Sequence, residues 1–149
     1  MPLALAITES LSILCSGLFA GAALYISFVE HPARMQCGTP IALTQFAPSY
    51  KRATIMQASL AALGTLAAIA AWLQGAPTTW LAGGLLLGAV IPFTLIFILP
   101  TNKRLLDHSL NKNSALAQHH LNRWATLHAV RSALGLASFL VFLFATIRR

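Results

Sequence analysis

Four apolar runs alternate with more polar connections along this chain. The runs are residues 10–29, 53–73, 79–99 and 127–147. Each has about the 20 residues that a helix needs to cross the hydrocarbon core of a bilayer. Helices are the expected form, because a backbone exposed to lipid must satisfy its hydrogen bonds within the same element. The pattern predicts an all-α fold, an integral membrane four-helix bundle whose 149 residues form a single domain.

The connection between the first and second runs contains three prolines that favour breaks in helical structure. Pro32 is expected to end the first helix, because proline cannot donate the backbone hydrogen bond that continues a helix. Residues 41–46 are predicted to form a short surface helix. Proline favours a first helical turn, so Pro48 or Ser49 is expected to begin the second membrane helix.

The connection between the third and fourth runs is also expected to contain helical structure. The stretch from Pro100 to Asn102 is predicted to end the third helix. Asn113 or Ser114 is a favourable N-cap, so the fourth helix is expected to start well before the membrane. Residues 74–78 are few enough to make an antiparallel hairpin of the second and third helices. No internal repeat is visible in the sequence.

The composition agrees with a membrane protein. Hydrophobic residues make up 57% of the chain and charged residues only 9%, with a mean hydropathy of +0.72. A soluble domain usually has about a quarter of its residues charged. The polar surface is too small to cover a water-soluble globule, so lipid is the expected solvent for much of the protein.

The net charge of +7 follows membrane topology, and nucleic acid is not needed as a partner to explain it. Eight of the ten basic residues belong to one side of the predicted bundle, and only Arg148 and Arg149 to the other. Those eight are Arg34, Lys51, Arg52, Lys103, Arg104, Lys112, Arg123 and Arg131. The positive-inside rule then predicts cytoplasmic long connections and outside termini, in a bacterial inner membrane. Trp72 and Trp80 would mark the outer interface and Trp124 the inner one.

Small residues at four-residue spacing predict close contacts between helices. Gly17 with Gly21, and Gly84 with Gly88, could bring two backbones together. The spacing does not distinguish contacts within one chain from contacts between chains, so it leaves a homo-oligomer open.

Polar residues from all four helices are predicted to gather at one depth, at the cytoplasmic end of the bundle. The stretch FVEHPAR closes the first run, and the spacing of Trp124, His128 and Arg131 puts those three on one helical face. The outer half is expected to contain almost no polar groups. The set at the cytoplasmic end comprises Glu30, His31, Arg34, Gln57, Asn102, Trp124, His128 and Arg131.

Some of these residues have purely structural explanations. Arginine and lysine at helix ends extend toward the interface, which suffices for most of the cations. Arg131, however, lies about 6 Å inside its apolar run, and buried ionisable groups in membranes usually have a partner or a function. Glu30 is the acid nearest that depth, so a structural pair with Arg131 or with Arg34 stands beside a catalytic role.

The histidines allow two kinds of chemistry. His31, His128, His120 and Glu30 could hold a metal ion, and two facing histidines could bind haem. Alternatively, His128 could be a general base, or His31 could be one with Glu30 orienting it.

A base would need groups that stabilise the anion it creates and a wall that holds the substrate. Arg131, Arg34 and Asn102 could donate hydrogen bonds to a developing oxyanion. The predicted aromatic wall that binds the substrate consists of Trp124, Tyr25 and Phe28.

Four segments of the chain resemble the anthrone oxygenase-like family of small four-helix membrane proteins. They are GLFAGAALYISFVEHPAR (17–34), FAPSYKRATIMQ (46–57), PTNKRL (100–105) and WATLHAVRSALG (124–135). Named members of that family oxidise anthrones to anthraquinones with molecular oxygen, generally without an added cofactor. The resemblance implies a site at Glu30, His31, Pro32, Arg34, Asn102, Trp124, His128 and Arg131.

The resemblance implies an oxidoreductase that acts on an amphipathic aromatic compound, anthrone-like or quinol-like, which enters from the inner leaflet. The alternative is a non-catalytic membrane module that binds lipid, quinone, haem or a partner protein. A small transporter is less favoured, because the predicted outer half has no polar path.

Overall fold

The computed structural model describes residues 2–148, and in that range the regular structure is entirely helical. Two π-helical segments, π1 (Ile26–Glu30) and π2 (Thr94–Ile98), lie within the first and third long helices. The α-helices are α1 (Leu3–Tyr25), α2 (His31–Gln36), α3 (Thr39–Leu73), α4 (Thr78–Phe93), α5 (Leu99–Leu105) and α6 (Ala115–Ile147).

These elements form four continuous helices, each long and apolar enough to cross a membrane. They are Leu3–Gln36, Thr39–Leu73, Thr78–Leu105 and Ala115–Ile147. In cross-section the bundle is four-sided, because α1 and α4 each pack against both α3 and α6, while the diagonal pairs hardly touch. The predicted four-helix bundle of an integral membrane protein is confirmed, with helices that extend beyond the apolar runs.

The expectation that Pro32 and Pro100 end their helices is wrong. The first and third helices continue past them as α2 and α5. In each case a π segment ends two residues before the proline, and its wider turn pairs the amides of His31 and Leu99 with carbonyls five residues back. The wider turn replaces the regular α-helical hydrogen bonds at this point. The helix can therefore accommodate a proline, which has no N–H to donate and whose ring crowds the preceding turn.

The first connection is shorter than the sequence predicts. Pro48 lies inside α3, which runs unbroken from Thr39, so the separate surface helix at residues 41–46 does not exist. Only Cys37 and Gly38 join the first two long helices, and Gly38 takes a φ of 86° that favours glycine. The prolines therefore sit within long helices and do not divide them.

The second connection, residues 106–114, agrees better with the prediction. The Ser114 hydroxyl accepts a hydrogen bond from the Ala117 N–H at 3.1 Å and caps α6, which confirms a start well before the apolar run. In the turn ahead of it, the hydroxyl and amide of Ser109 donate to the Asp107 carboxylate and lower the pKa of that exposed group.

Two of the four predicted glycine contacts join α3 to α4 within the chain. A Cβ at Gly84 would lie 2.7 Å from that of Ala68, and one at Gly88 would lie 3.1 Å from Thr65. A Cβ at Gly17 would lie 3.0 Å from the Phe139 ring, whereas Gly21 has nothing within 4 Å. Close backbone approach is thus a property of the single bundle.

The two halves of the bundle repeat each other, although the sequence shows no repeat. One constant offset relates Pro32 to Pro100 and π1 to π2. The same offset in residue number relates buried positions of α1 to buried positions of α4, namely Ser12, Cys15, Ser16 and Phe19 to Trp80, Gly83, Gly84 and Leu87. A second constant offset relates buried positions of α3 to buried positions of α6, namely Ala61, Gly64, Ala68 and Ala71 to Gly135, Ser138, Phe142 and Ala145. Equivalent helices therefore lie diagonally opposite. The repeat lies in burial and helix geometry, while the residue types differ.

The half of the bundle opposite the connections at residues 37–38 and 106–114 contains more polar groups than expected. Glu9, Ser12, Ser16 and Ser138 are all buried there. Ser138 donates to the Gly83 carbonyl at 2.7 Å and so links α6 to α4. The expectation of an almost apolar outer half is wrong.

Candidate functional site

A small internal cavity lies at the end of the bundle where residues 37–38 and 106–114 connect the long helices. Its volume is about 20 Å³, measured as the space that the centre of a water molecule can occupy. The cavity can therefore hold about one water molecule. Its polar lining comes from three of the four long helices and consists of Arg34, Ser49, Tyr50, Thr54, Gln57, His128 and Arg131. Of the residues predicted to gather at one depth, five line this narrow space and three do not. The five are Arg34, Gln57, Trp124, His128 and Arg131, and the other three are Glu30, His31 and Asn102.

Trp124 is the aromatic centre of this site. Its indole stacks on His128 with ring centroids 4.7 Å apart and an interplanar angle of 24°. His31 contacts the same indole at 5.3 Å, and Phe46 meets it edge-on at 5.3 Å. Both histidines are buried, and of the two only His128 lines the cavity.

A chain of hydrogen bonds determines the tautomer of His128. The Ser132 hydroxyl lies 3.0 Å from the His128 carbonyl oxygen, 3.2 Å from that of Ala23 and 3.4 Å from Nδ1 of His128. The two shorter contacts favour donation to a carbonyl, because carbonyl oxygens only accept. Ser132 therefore accepts the proton of Ser27, whose hydroxyl is 2.9 Å away. Ser27 has then used its single proton and accepts from Nδ1 of His128 at 3.1 Å. This direction of donation favours a proton on Nδ1 of His128 and leaves a free lone pair on Nε2.

This assignment predicts a spectroscopic result. In ¹⁵N-labelled protein in detergent, we expect the His128 imidazole to show the Nδ1–H tautomer. The double variant Ser27→Ala/Ser132→Ala should shift the ring toward the Nε2–H form, because both hydroxyl oxygens within reach of Nδ1 are lost. The measurement is a ¹⁵N–¹H correlation spectrum of the histidine rings. Ser59→Ala is the matched control, since that hydroxyl bonds only its own helix at Ile55. An Nε2–H tautomer in the unaltered protein would contradict the assignment.

Arg34 pairs with Glu30, which decides between the two predicted structural pairs. Its guanidinium donates to the Glu30 carboxylate one turn earlier, while Gln45 donates to the same oxygen at 2.9 Å and Ser49 at 2.5 Å. Arg34 also lies over the rings of Phe46 and Trp124, each 5.9 Å away. Glu30 therefore serves to hold Arg34.

Arg131 has a different environment. Its guanidinium lies over the Phe19 ring at 5.2 Å, a cation–π contact that keeps it at the inner wall of the cavity. Within residues 2–148 its Nε has no hydrogen-bond partner. The predicted Glu30–Arg131 pair does not form in that range.

Other buried polar groups, of which Gln57 lines the cavity, are also without hydrogen-bond partners in the described residues. Gln57 and Asn102 are each 1% exposed, yet neither end of either amide makes a hydrogen bond, and Nδ1 of His31 is likewise unpaired. Leaving a buried polar group unsatisfied costs about 1–3 kcal/mol. Such a concentration of unmet donors and acceptors is typical of a site that binds something polar.

A protein-family model described as anthrone oxygenase matches residues 46–141, well over half of the chain. This protein belongs to the anthrone oxygenase family. Within the matched range lie Gln57, Asn102, Trp124, His128 and Arg131, whereas FVEHPAR lies before it. No curated protein and no solved structure matches the chain.

This anthrone oxygenase family member does not assemble the predicted metal ligands. In residues 2–148 no three His, Cys, Asp or Glu side chains form a group that could hold a metal ion. Glu30 is engaged with Arg34, and His120 lies two turns before His128 on α6, beside His119 at 5.8 Å. Helical spacing brought these residues to one end of the bundle but not to one point.

The predicted aromatic wall is only partly present. Trp124 lines the cavity, but Tyr25 and Phe28 are 57% and 76% exposed and point outward. The reason is the helical rotation: Ser27 faces α6, so its neighbour Phe28 faces lipid.

Sequence reasoning missed five polar residues of the site, one of which, Ser49, lines the cavity and donates to Glu30. Ser27 and Ser132 were not singled out, although Ser132 follows His128 by one turn. Tyr50 and Thr54 also line the cavity. The sequence contains a signal for Tyr50 and Thr54. Together with Gln57 they repeat on α3 the spacing that the predicted site residues have on α6, the equivalent helix.

Proposed function

We propose that this protein is a membrane-embedded oxidoreductase that oxidises an amphipathic aromatic compound, anthrone-like or quinol-like, with molecular oxygen. The observation that carries the proposal is His128: a buried imidazole at a cavity, held by Ser27 so that Nε2 can accept a proton. Membership of the anthrone oxygenase family supports the reaction class.

The chemistry begins with removal of an acidic proton. Nε2 of His128 takes a proton from the carbon between the rings of an anthrone, or from a quinol hydroxyl, and the electron pair remains on the substrate. For an anthrone the overall change is balanced by one oxygen molecule: the methylene carbon becomes a carbonyl, and the second oxygen atom leaves as water. The electron-rich anion is the reductant, and oxygen is the oxidant.

The anion needs hydrogen-bond donors that are already in place. Among residues 2–148, the Nε of Arg131 and the amide of Gln57, both at the cavity, have no hydrogen-bond partner, and neither has the buried amide of Asn102. Donors held in a dry site stabilise developing negative charge without reorganisation. Arg34, which was also predicted for this role, is bound to Glu30 and contributes positive charge to the wall.

The site is proposed to face the cytoplasm of a bacterial inner membrane, with both termini outside. The supporting observation is the distribution of cations, eight of which belong to the end with the cavity. Substrate then enters from the inner leaflet.

A non-catalytic binding module is the second candidate, and one observation favours it. The internal cavity has room for about one water molecule and none for a fused-ring compound. A binding module would hold a small polar ligand there without turning it over.

Oxygen consumption separates the two candidates. With anthrone or a quinol in detergent, we expect the purified protein to raise oxygen uptake well above the spontaneous rate and to form one quinone per oxygen molecule consumed from anthrone. An absorption spectrum and metal analysis of the same preparation test for haem or metal. Uptake equal to that of protein-free detergent with every compound would favour the binding module.

A further inference from the structure

An open groove runs along the outside of the bundle, between the first long helix and α3, beside the internal cavity. Its volume is about 560 Å³, within the roughly 300–1,000 Å³ of small-molecule sites. Tyr25 and Ile26 form one wall, and Ala53 and Met56 form the other. Tyr25 and Met56 are 57% and 48% exposed, so the groove opens sideways toward lipid.

One end of the groove is polar, while the rest is apolar. At that end Ser49 and Gln45 donate to Glu30, and the exposed guanidinium of Arg52 lies beside them. A long apolar trough that ends in hydroxyl, amide and guanidinium groups complements a flat aromatic molecule with oxygen at one end. A lipid chain would use the trough but has no flat face to match it against Tyr25.

The groove and the internal cavity share part of their lining. Ile26, Ser49 and Ala53 belong to both, so these three side chains are the partition between them. Behind the partition lie His128 and Arg131. A ring system lodged in the groove needs to pass only this partition to bring its reacting carbon or hydroxyl to the base.

Both walls next to the partition have weakened helical hydrogen bonding. Ile26 begins the π1 segment, and Pro48, which cannot donate, lies in α3 immediately before Ser49. Interruptions of this kind allow local bending, and π segments in helices frequently occur at functional sites. The partition therefore lies where the backbone of both helices can bend.

We propose that this groove is the binding site for a fused-ring phenol or ketone, from which the substrate reaches His128 through the partition. The identity of the ligand rests on the proposed function, but its binding can be measured without turnover.

The probe is 1,8-dihydroxyanthraquinone, titrated into the purified protein in detergent and followed by quenching of tryptophan fluorescence. In Ala53→Phe the added ring fills the groove at the partition, and we expect the Kd to rise about tenfold or more, a change of about 1.4 kcal/mol. The matched control is Ala58→Phe, an exposed alanine of the same helix outside the groove. We expect that control to bind about as tightly as the unaltered protein.

Tyr25→Ala is a second variant, chosen because a side chain that is 57% exposed is not needed for folding. It should also weaken binding, because the groove loses its one aromatic wall. Unchanged binding in both Tyr25→Ala and Ala53→Phe would overturn the proposal. So would stoichiometric displacement of the probe by vesicles of dioleoylphosphatidylglycerol, which would make the groove a lipid site.

The outcomes separate the groove from the proposed reaction. Groove-dependent binding in a protein that consumes no oxygen would contradict the reaction alone. Turnover in Ala53→Phe with an unaltered KM would contradict the groove alone.

Discussion

His128→Ala is expected to lower kcat by about 100-fold or more, the usual contribution of a positioned general base. The residue is 2% exposed and held between Trp124, Ser27 and Ser132, so no other base can take its position. The hydroxyls of Ser27 and Ser132 still bond each other after the substitution, so the helices stay linked. The measurement is kcat from oxygen uptake, with folding checked by circular dichroism.

His120→Ala is the matched control for that experiment. It removes a histidine from the same helix, two turns earlier, where the ring lies outside the cavity. We expect its kcat to match that of the unaltered protein. His128→Gln separates proton transfer from hydrogen bonding, since an amide can bond but cannot act as a base. Full activity in His128→Gln would rule out the proposed role.

Gly84→Ala is expected to lower the free energy of unfolding by about 1–3 kcal/mol, the usual cost of overfilling a packed core. The added Cβ would lie 2.7 Å from the Cβ of Ala68. Neither atom can rotate away, since a Cβ is fixed to its backbone, so α3 and α4 must separate. That separation loosens a contact on which close helix packing in membranes depends.

Gly21→Ala is the control for this prediction. Gly21 also lies in a helix, but it is exposed, and a Cβ there would meet nothing within 4 Å. We expect no loss of stability and a small gain, because alanine favours helix over glycine. The measurement is thermal unfolding in detergent, monitored by circular dichroism. A Gly84→Ala variant as stable as Gly21→Ala would show that the two helices are less tightly packed than described.

Much of the fold could be predicted from hydropathy, because the requirements of a bilayer are severe. Four runs of about 20 apolar residues leave little choice but four helices. The boundaries could not be predicted in the same way. Whether Pro32 or Pro100 ends a helix depends on whether the preceding turn can widen into a π segment, and neighbouring helices decide that.

The candidate site could likewise be predicted only in part. Helical spacing placed Trp124, His128 and Arg131 on one face, and the structure has them all at one cavity. Spacing within a helix says nothing about the rotation of the neighbouring helix. For that reason Ser27 was missed and Phe28 was wrongly given a place in the wall.

The sequence by itself determined the class of protein, its family and the end of the bundle at which most basic residues lie, because each of these depends on composition and order along the chain. The tertiary structure alone decided which polar groups meet. Glu30 could pair with Arg34 or Arg131 by depth, and packing selected Arg34, which lies one turn away on the same helix. The tautomer of His128 required Ser27 and Ser132, from two helices far apart in sequence, to meet at one point.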